Sequence, residues 1–226
     1  MSAVVVTGAG RGIGRAVAIA LAARGHDVAL LGRTEPDLER TAEMLTAGGR
    51  RALVVRCDVS RAKDVENAAA QVTGALGAPL AVVNNAGVVR RARVDRMTDG
   101  DWDEVLDVNL KGTFLVTRAF LPTMLLAKRG RFVAMGSISG TLGTPLLSAY
   151  CAAKWGVIGF TKSLAEELRG TGVQALSVLP GSVDTDMLKG SGFPPAMSPD
   201  DVARLVVYAA LDAPDAMNGS ALEIFG

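Results

Sequence analysis

Tyr150 and Lys154 stand four residues apart in Tyr150-Cys151-Ala152-Ala153-Lys154, at the start of a segment with helical spacing that continues through Arg169. Residues at i and i+4 share one helix face, so the phenol and the ammonium can act together. A free tyrosine loses its proton only near ~10. A neighbouring cation favours phenolate and lowers that value. Such a tyrosine can give a proton to a carbonyl being reduced, or take one from an alcohol being oxidised. Ser137 ends the apolar run Phe132-Val133-Ala134-Met135 and is placed to hydrogen-bond the same substrate oxygen; Ser139 is its rival. Alone, a Tyr-x-x-x-Lys pair is usually an ordinary surface pair, so its meaning depends on its company.

A second motif stands at the other end of the chain. Thr7-Gly8-Ala9-Gly10-Arg11-Gly12-Ile13-Gly14 follows the apolar run Ala3–Thr7 and opens a helical segment. Glycines there let the backbone turn tightly and approach a pyrophosphate, whose charge the helix N-terminus favours. Plain steric need in a turn is the alternative. Dinucleotide binding is the expectation, through Gly8, Gly10, Arg11, Gly12, Ile13 and Gly14. An NAD site usually carries an acid at the end of the second strand for the ribose hydroxyls. Here Val28-Ala29-Leu30-Leu31 runs into Gly32-Arg33-Thr34. A guanidinium at Arg33 suits a 2′-phosphate, and Arg11 could reach the same group. NADP(H) is expected over NAD(H), with surface charge as the plain alternative for both arginines. Thr34-Glu35-Pro36-Asp37 reads as a helix start with a capping threonine.

These groups need a frame. Near-continuous apolar runs at Ala3–Thr7, Asp27–Gly32, Ala52–Asp58, Leu80–Asn84, Gly130–Met135, Val173–Leu179 and Ala221–Phe225 read as strands buried on both faces. Helical patterns alternate with them at about 12–24, 35–48, 61–76, 99–128, 150–170 and 198–212. This predicts an α/β fold: a Rossmann-type, doubly wound parallel sheet of about seven strands with helices on both faces. No linker or composition shift divides residues 1–226, so a single domain is expected.

The balance of 24 Lys+Arg against 23 Asp+Glu gives a net charge of +1 and no broad basic field, which argues against a nucleic-acid partner. Two cysteines, Cys57 and Cys151, make no disulfide framework and read as buried thiols in a reducing compartment. The lone histidine, His26, argues against a His-rich metal site or a Ser-His-Asp triad and reads as a surface loop residue; no metal is expected. No apolar run reaches the ~18 residues of a membrane span, and Met1-Ser2 leads straight into a strand rather than a signal sequence. A cytoplasmic enzyme is the expectation.

With the glycine turn, Ser137 and Tyr150–Lys154 in this order, the chain from Val4 to about Ile224 resembles the single-domain short-chain dehydrogenase/reductase family. The resemblance implies further roles. Asp58, in Cys57-Asp58-Val59, matches the acid that contacts adenine, with Val59 beside it. Asn84-Asn85-Ala86-Gly87 matches the segment bordering the cofactor, through Asn85, Ala86 and Gly87. Asn109 matches the residue that holds a water in a proton relay behind Lys154. In Pro180-Gly181-Ser182-Val183-Asp184-Thr185, Pro180 and Gly181 match the family's Pro-Gly, and Val183 and Thr185 would meet the nicotinamide carboxamide. The implied chemistry is direct hydride transfer, with Tyr150 as acid/base, Ser137 orienting the oxygen, and Lys154 holding the nicotinamide ribose.

The substrate side departs from the pattern. The usual Asp near position 80 is absent, and only Asp186–Met197 follows Thr185 before the last helix, a short apolar stretch that could act as a lid. The resemblance implies a homo-oligomer; the chain stops at Glu223-Ile224-Phe225-Gly226, where relatives often continue into a subunit interface, which weakens the expectation of the family's tetramer and leaves a dimer open. The pattern looks most like the 3-oxoacyl reductases, with a carrier-protein or CoA thioester as substrate; Arg90, Arg91 and Arg93 could attract such a ligand, or simply be solvated. Alcohol, sugar or polyol dehydrogenation is the alternative, and a catalytically idle dinucleotide sensor is the alternative of another class.

Overall fold

The computed structural model describes residues 2–226. Strands β1 (Ala3–Thr7), β2 (Asp27–Gly32), β3 (Ala52–Arg56), β4 (Ala81–Asn84), β5 (Gly130–Met135), β6 (Val173–Pro180) and β7 (Ala221–Ile224) form one parallel seven-stranded sheet in the order β3-β2-β1-β4-β5-β6-β7. Side chains alternate between faces along a strand. Val4, Val6, Val28, Leu30 and Val133 therefore pack beneath α1 (Gly12–Ala23) and α7 (Pro199–Val207). Val5, Leu31, Val82, Phe132 and Ala175 pack on the other face with α3 (Ala62–Leu76), α5 (Gly112–Ala127) and the end of α6 (Ser148–Glu167). Both faces are dry, which is why the strands read as unbroken apolar runs. The remaining helices are α2 (Glu35–Ala47) and α4 (Asp99–Leu106).

The expected frame is present, with local differences. The single helix expected over 99–128 is α4, a π-helical turn at Asp107–Lys111, and α5. A hydrophobic period cannot register one extra residue in a turn, and such turns concentrate at functional sites. The segment expected over 198–212 likewise ends in a π-helical turn, Tyr208–Asp212. Thr34 occupies the cap position of α2 without a side-chain cap bond, whereas Ser198 and Asp201 form a complete capping box on α7. The run Asp99–Ala127 is long and apolar enough to span a membrane by composition, but Val116, Phe120 and Met124 on it are core residues. His26 is half-buried rather than a free surface residue, with Nδ1 2.9 Å from Ser2 Oγ.

Strand order reverses between β1 and β4, and in a doubly wound sheet the crevice beyond such a switch point is where ligands bind. Thr7 ties the two strand ends together. Its buried Oγ1 accepts from Asn85 N at 2.9 Å and Ala86 N at 3.0 Å, and donates to Val83 O at 3.3 Å. Asn85 Nδ2 returns a bond to Thr7 O at 2.9 Å. Thr7→Val keeps the shape and removes the acceptor of two backbone N–H groups. Urea denaturation should show a loss of about 1–3 kcal/mol; an unchanged midpoint and slope would count against this link.

Candidate active site

The crevice at the switch point is an open cleft of about 380 Å³. Its floor is the turn between β1 and α1, where Gly8 and Gly12 take φ +65° and +53°. A β-carbon on Gly14 would lie 2.2 Å from Gly8 O, and one on Gly10 would lie 2.7 Å from Asp37 Cβ. The backbone thus comes closer to the cleft and to its neighbours than any side chain permits. The first turn of α1 carries no acid, so nothing offsets the positive end of its dipole. Gly8, Gly10, Arg11, Gly12, Ile13 and Gly14 all line this cleft, with Arg33, Asp58 and Val59 from the neighbouring strand ends. Asn85, Ala86, Gly87 and Thr185 close its other side. The shape and donor set fit an extended dinucleotide with its pyrophosphate over the glycine turn.

Pro180, Gly181 and Val183 stand outside this lining and shape the segment that carries Thr185. Gly181 N bonds Ile224 O at 2.9 Å, and Val183 is buried in a bridge with Met197. Thr185 Cγ2 is 3.3 Å from where a Gly12 β-carbon would stand, so the segment abuts the glycine turn. Asp58 Oδ1 accepts from Ser60 N at 3.0 Å and Ser60 Oγ at 2.7 Å in a local turn, while α3 starts only at Ala62.

Tyr150 and Lys154 lie in the first turns of α6, and Ser137 begins the short turn after β5. The two elements meet at Gly140, where a β-carbon would stand 2.9 Å from Lys154 O and 2.6 Å from Ile158 Cδ1. Ser137 Oγ accepts from Ser139 N at 3.1 Å, which leaves its own proton for a substrate oxygen. Ser139 is buried and supplies only that N–H, so the geometry favours Ser137 over its rival. Lys154 is 4% exposed; its Nζ donates to Met135 O at 2.7 Å and sits 5.5 Å from the Tyr150 ring centroid. Asn109 occupies the π-helical turn, with Nδ2 donating to Val88 O and Val105 O, each at 2.8 Å. Its Oδ1 is buried without a partner and would lie 2.8 Å from a β-carbon on Gly87. An orphaned acceptor of this kind is costly and calls for a polar ligand.

Burial dominates the electrostatics. It pushes the Tyr150 phenol up to about 12, opposed by the neighbouring Ser137 hydroxyl and the Arg91 guanidinium, and pushes Lys154 down to about 8. Desolvation is the largest influence on both groups. The Cys57 thiol, also buried, rises to about 12 and is chemically inert; Cys151 is only half-buried.

The arginines divide in ways a sequence cannot show. Arg33 is exposed at the cleft rim, but the Arg11 guanidinium pairs with Asp186 at 3.4 Å. Several cleft residues were not anticipated, including Gly32, Thr34, Leu38, Cys57, Val88 and Val108. Asp186 and Met187 arrive from the 186–197 stretch, and Asp37, rather than Glu35, is the α2 carboxylate at the cleft, paired with Arg40. Its position at N3 of that helix, one turn beyond Arg33, was the available signal. The stretch itself is tied down by Arg11–Asp186, by Lys189–Asp186 at 2.6 Å and by Arg91 Nη2 to Met187 O at 2.8 Å.

A doubly wound sheet with a glycine turn at the switch point and a Ser-Tyr-Lys group beside it defines a dinucleotide-dependent oxidoreductase class, and the short chain dehydrogenase family model matches residues 2–192. This chain belongs to that family. It is 33% identical to a 2-(S)-hydroxypropyl-CoM dehydrogenase of Xanthobacter autotrophicus over 99% of this chain and 94% of that protein. It is 36% identical to a 3-oxoacyl-[acyl-carrier-protein] reductase of Synechocystis over 92% and 88%. With the Escherichia coli reductase FabG it shares 36% identity over 81% and 74%.

The Lys154 shift has a measurable consequence. Unfolding returns the amine from about 8 to its ordinary 10.5, so between those values the unfolded chain binds more protons and stability rises with pH. Tyr150, raised from 10.0 to about 12, acts in the opposite sense but only above that lower value. Urea denaturation between about pH 8 and pH 10 should therefore show the wild-type chain gaining stability relative to Lys154→Met; parallel pH profiles would contradict a buried, shifted amine.

Proposed function

We propose that this chain reduces a carbonyl to an alcohol, taking hydride directly from NADPH, with Tyr150 supplying the oxygen-bound proton. The observation that carries the reading is the convergence of Ser137, Tyr150 and Lys154 where β5 and α6 meet, beside a glycine-floored cleft. The cofactor, when bound, supplies the hydride. Gly8 to Gly14 and the N-terminus of α1 hold its pyrophosphate, and Asp58 and Val59 meet the adenine. Asn85, Ala86 and Gly87 border it, while Pro180, Gly181, Val183 and Thr185 place the carboxamide end. Ser137 donates to the substrate oxygen and fixes it beside the phenol. Tyr150 then gives up its proton, a step eased as the ammonium of Lys154 offsets the developing phenolate. Lys154 holds the nicotinamide ribose and draws its replacement proton through the Asn109 side. The orphaned Oδ1 of Asn109 is the observation that supports such a relay.

Arg33, exposed at the rim with no acid in the Gly32 position, supports NADP(H) over NAD(H). The names of the two reductase relatives support a 3-oxoacyl substrate and a reductive direction. Phe114 on α5 and Trp155 on α6 are exposed large apolar side chains, which supports a homo-oligomer.

Two tests address the reading. Tyr150→Phe keeps the ring and removes the acid, so NADPH binding should persist while turnover falls by about 10²–10⁴-fold; wild-type turnover would remove Tyr150 from the reaction. Arg33→Ala should cut kcat/KM for NADPH by about 10-fold or more and leave NADH little changed, as expected for loss of a charge-assisted bond. An equal effect on both cofactors would place the 2′-phosphate elsewhere.

A further inference from the structure

Arg90, Arg91, Arg93 and Arg96 follow the Asn85-Ala86-Gly87 turn, and the structure separates them by partner. Arg90 pairs with Asp101 and Glu104 at 3.4 and 2.6 Å, Arg93 with Asp95 at 2.9 Å, and Arg96 with the same Asp95 at 3.8 Å. Among the described residues Arg91 has no carboxylate partner. Its one hydrogen bond runs from Nη2 to the backbone carbonyl of Met187, at 2.8 Å. It is half-buried, and the residue after it is anchored by Ala92 N to Leu146 O at 3.0 Å, on the loop leading from Ser137 into α6. Arg91 is thus held between the catalytic loop and the 186–197 stretch. Its charge reaches the Tyr150 phenol, on which it acts to favour ionisation. The exposed large apolar side chains on those two segments are Leu142, Leu146, Met187 and Phe193, beside the exposed Thr141 and the Asp186–Lys189 ion pair.

A half-buried guanidinium with one carbonyl acceptor keeps most of its donors unused. Its planar fork matches an oxyacid anion, which supplies both the missing charge and two acceptors. Neutral substrates would leave that charge uncompensated. We propose that Arg91 is a specificity-determining residue that binds the carboxylate of an oxo-acid substrate whose carbonyl lies at Ser137 and Tyr150. The carboxylate stands a few bonds from the carbonyl, and the apolar rim covers the carbon chain. This deepens and rests on the carbonyl-reductase reading above. It narrows the 3-oxoacyl class to the free acid rather than a neutral thioester.

The test compares acetoacetate and 4-oxopentanoate with their ethyl esters and with an acetoacetyl thioester, using wild-type protein, Arg91→Gln and Arg91→Lys. Arg96→Gln, which removes an exposed arginine, controls for net charge, and NADPH affinity and thermal midpoint control for folding. The expected result is that wild-type protein favours the acids. Arg91→Gln should lose about 10–100-fold in kcat/KM on the acids, mainly through KM, as for a hydrogen bond to a charged group. It should change less than about threefold on the esters and thioester, and Arg91→Lys should recover part of the loss. Equal losses on acid and ester, or a wild-type preference for ester or thioester, would overturn the proposal. A second readout separates it from the reading on which it rests: the affinity of the NADP⁺-loaded protein for pentanoate, which cannot be reduced. If no ketone is turned over but pentanoate binding is lost in Arg91→Gln alone, the reductase reading fails and the anion site stands. If wild-type and Arg91→Gln bind pentanoate equally, or neither binds it, the anion site is refuted.

Discussion

The hydrogen bond from Lys154 Nζ to Met135 O, 2.7 Å long, joins the two elements on which the candidate chemistry depends. A 4%-exposed ammonium is costly to bury, and a single backbone carbonyl is a small return for its lost hydration. The cost appears as the fall of the Lys154 value to about 8. The bond nevertheless fixes α6 against the C-terminal end of β5, two residues before Ser137. Gly140 completes the seat by letting the serine turn touch the helix backbone at Lys154. The relation between Ser137 and Tyr150 is therefore set by a strand end, a helix and a backbone contact, not by a flexible loop. Rigid elements of this kind keep reacting groups within the small tolerance that proton transfer needs.

A second constraint orders the cofactor side. Thr7 accepts two N–H groups from the β4 loop, and Asn85 answers with a bond to Thr7 O. The glycine turn and the Asn-Asn-Ala-Gly segment are consequently one structural unit across the switch point. Gly87 extends that unit to Asn109, whose side chain is held by carbonyls from Val88 and Val105. The path from Thr7 to Asn109 is continuous, so the cleft floor and the buried Asn109 acceptor share one scaffold.

The frame was legible in the sequence because both sheet faces are buried, and dry strands leave unbroken apolar runs. The glycine turn was legible because it needs positive φ at Gly8 and Gly12 and contact distances that no β-carbon allows. What escaped was whatever depends on a single inserted residue or on a neighbour far along the chain. The π-helical turn that holds Asn109 differs from an α-helix by one residue and leaves the hydrophobic period almost intact. Likewise Arg11 reads as a free cation until Asp186, far along the chain, is brought beside it. The electrostatic balance at Tyr150 was hidden for a related reason: spacing reports proximity to Lys154 but not desolvation, which is the largest influence on both groups.

The same distinction bears on how such a site controls its own acid. With Tyr150 held near 12 and Lys154 near 8, burial keeps the phenol protonated and makes the ammonium easy to discharge at mildly alkaline pH. A group that stabilises phenolate must therefore be positively charged and close when the reaction occurs. Arg91 is already placed to do so, opposing the effect of burial on Tyr150, and its charge has no carboxylate to neutralise it. A carboxylate beside Arg91 would offset part of that support, which leaves the Lys154 ammonium as the cation that eases transfer of the phenol proton. Protonated tyrosine is the acid that carbonyl reduction consumes. The burial that keeps Tyr150 protonated beforehand and the positive charge that offsets phenolate as the proton leaves thus come from different parts of the site.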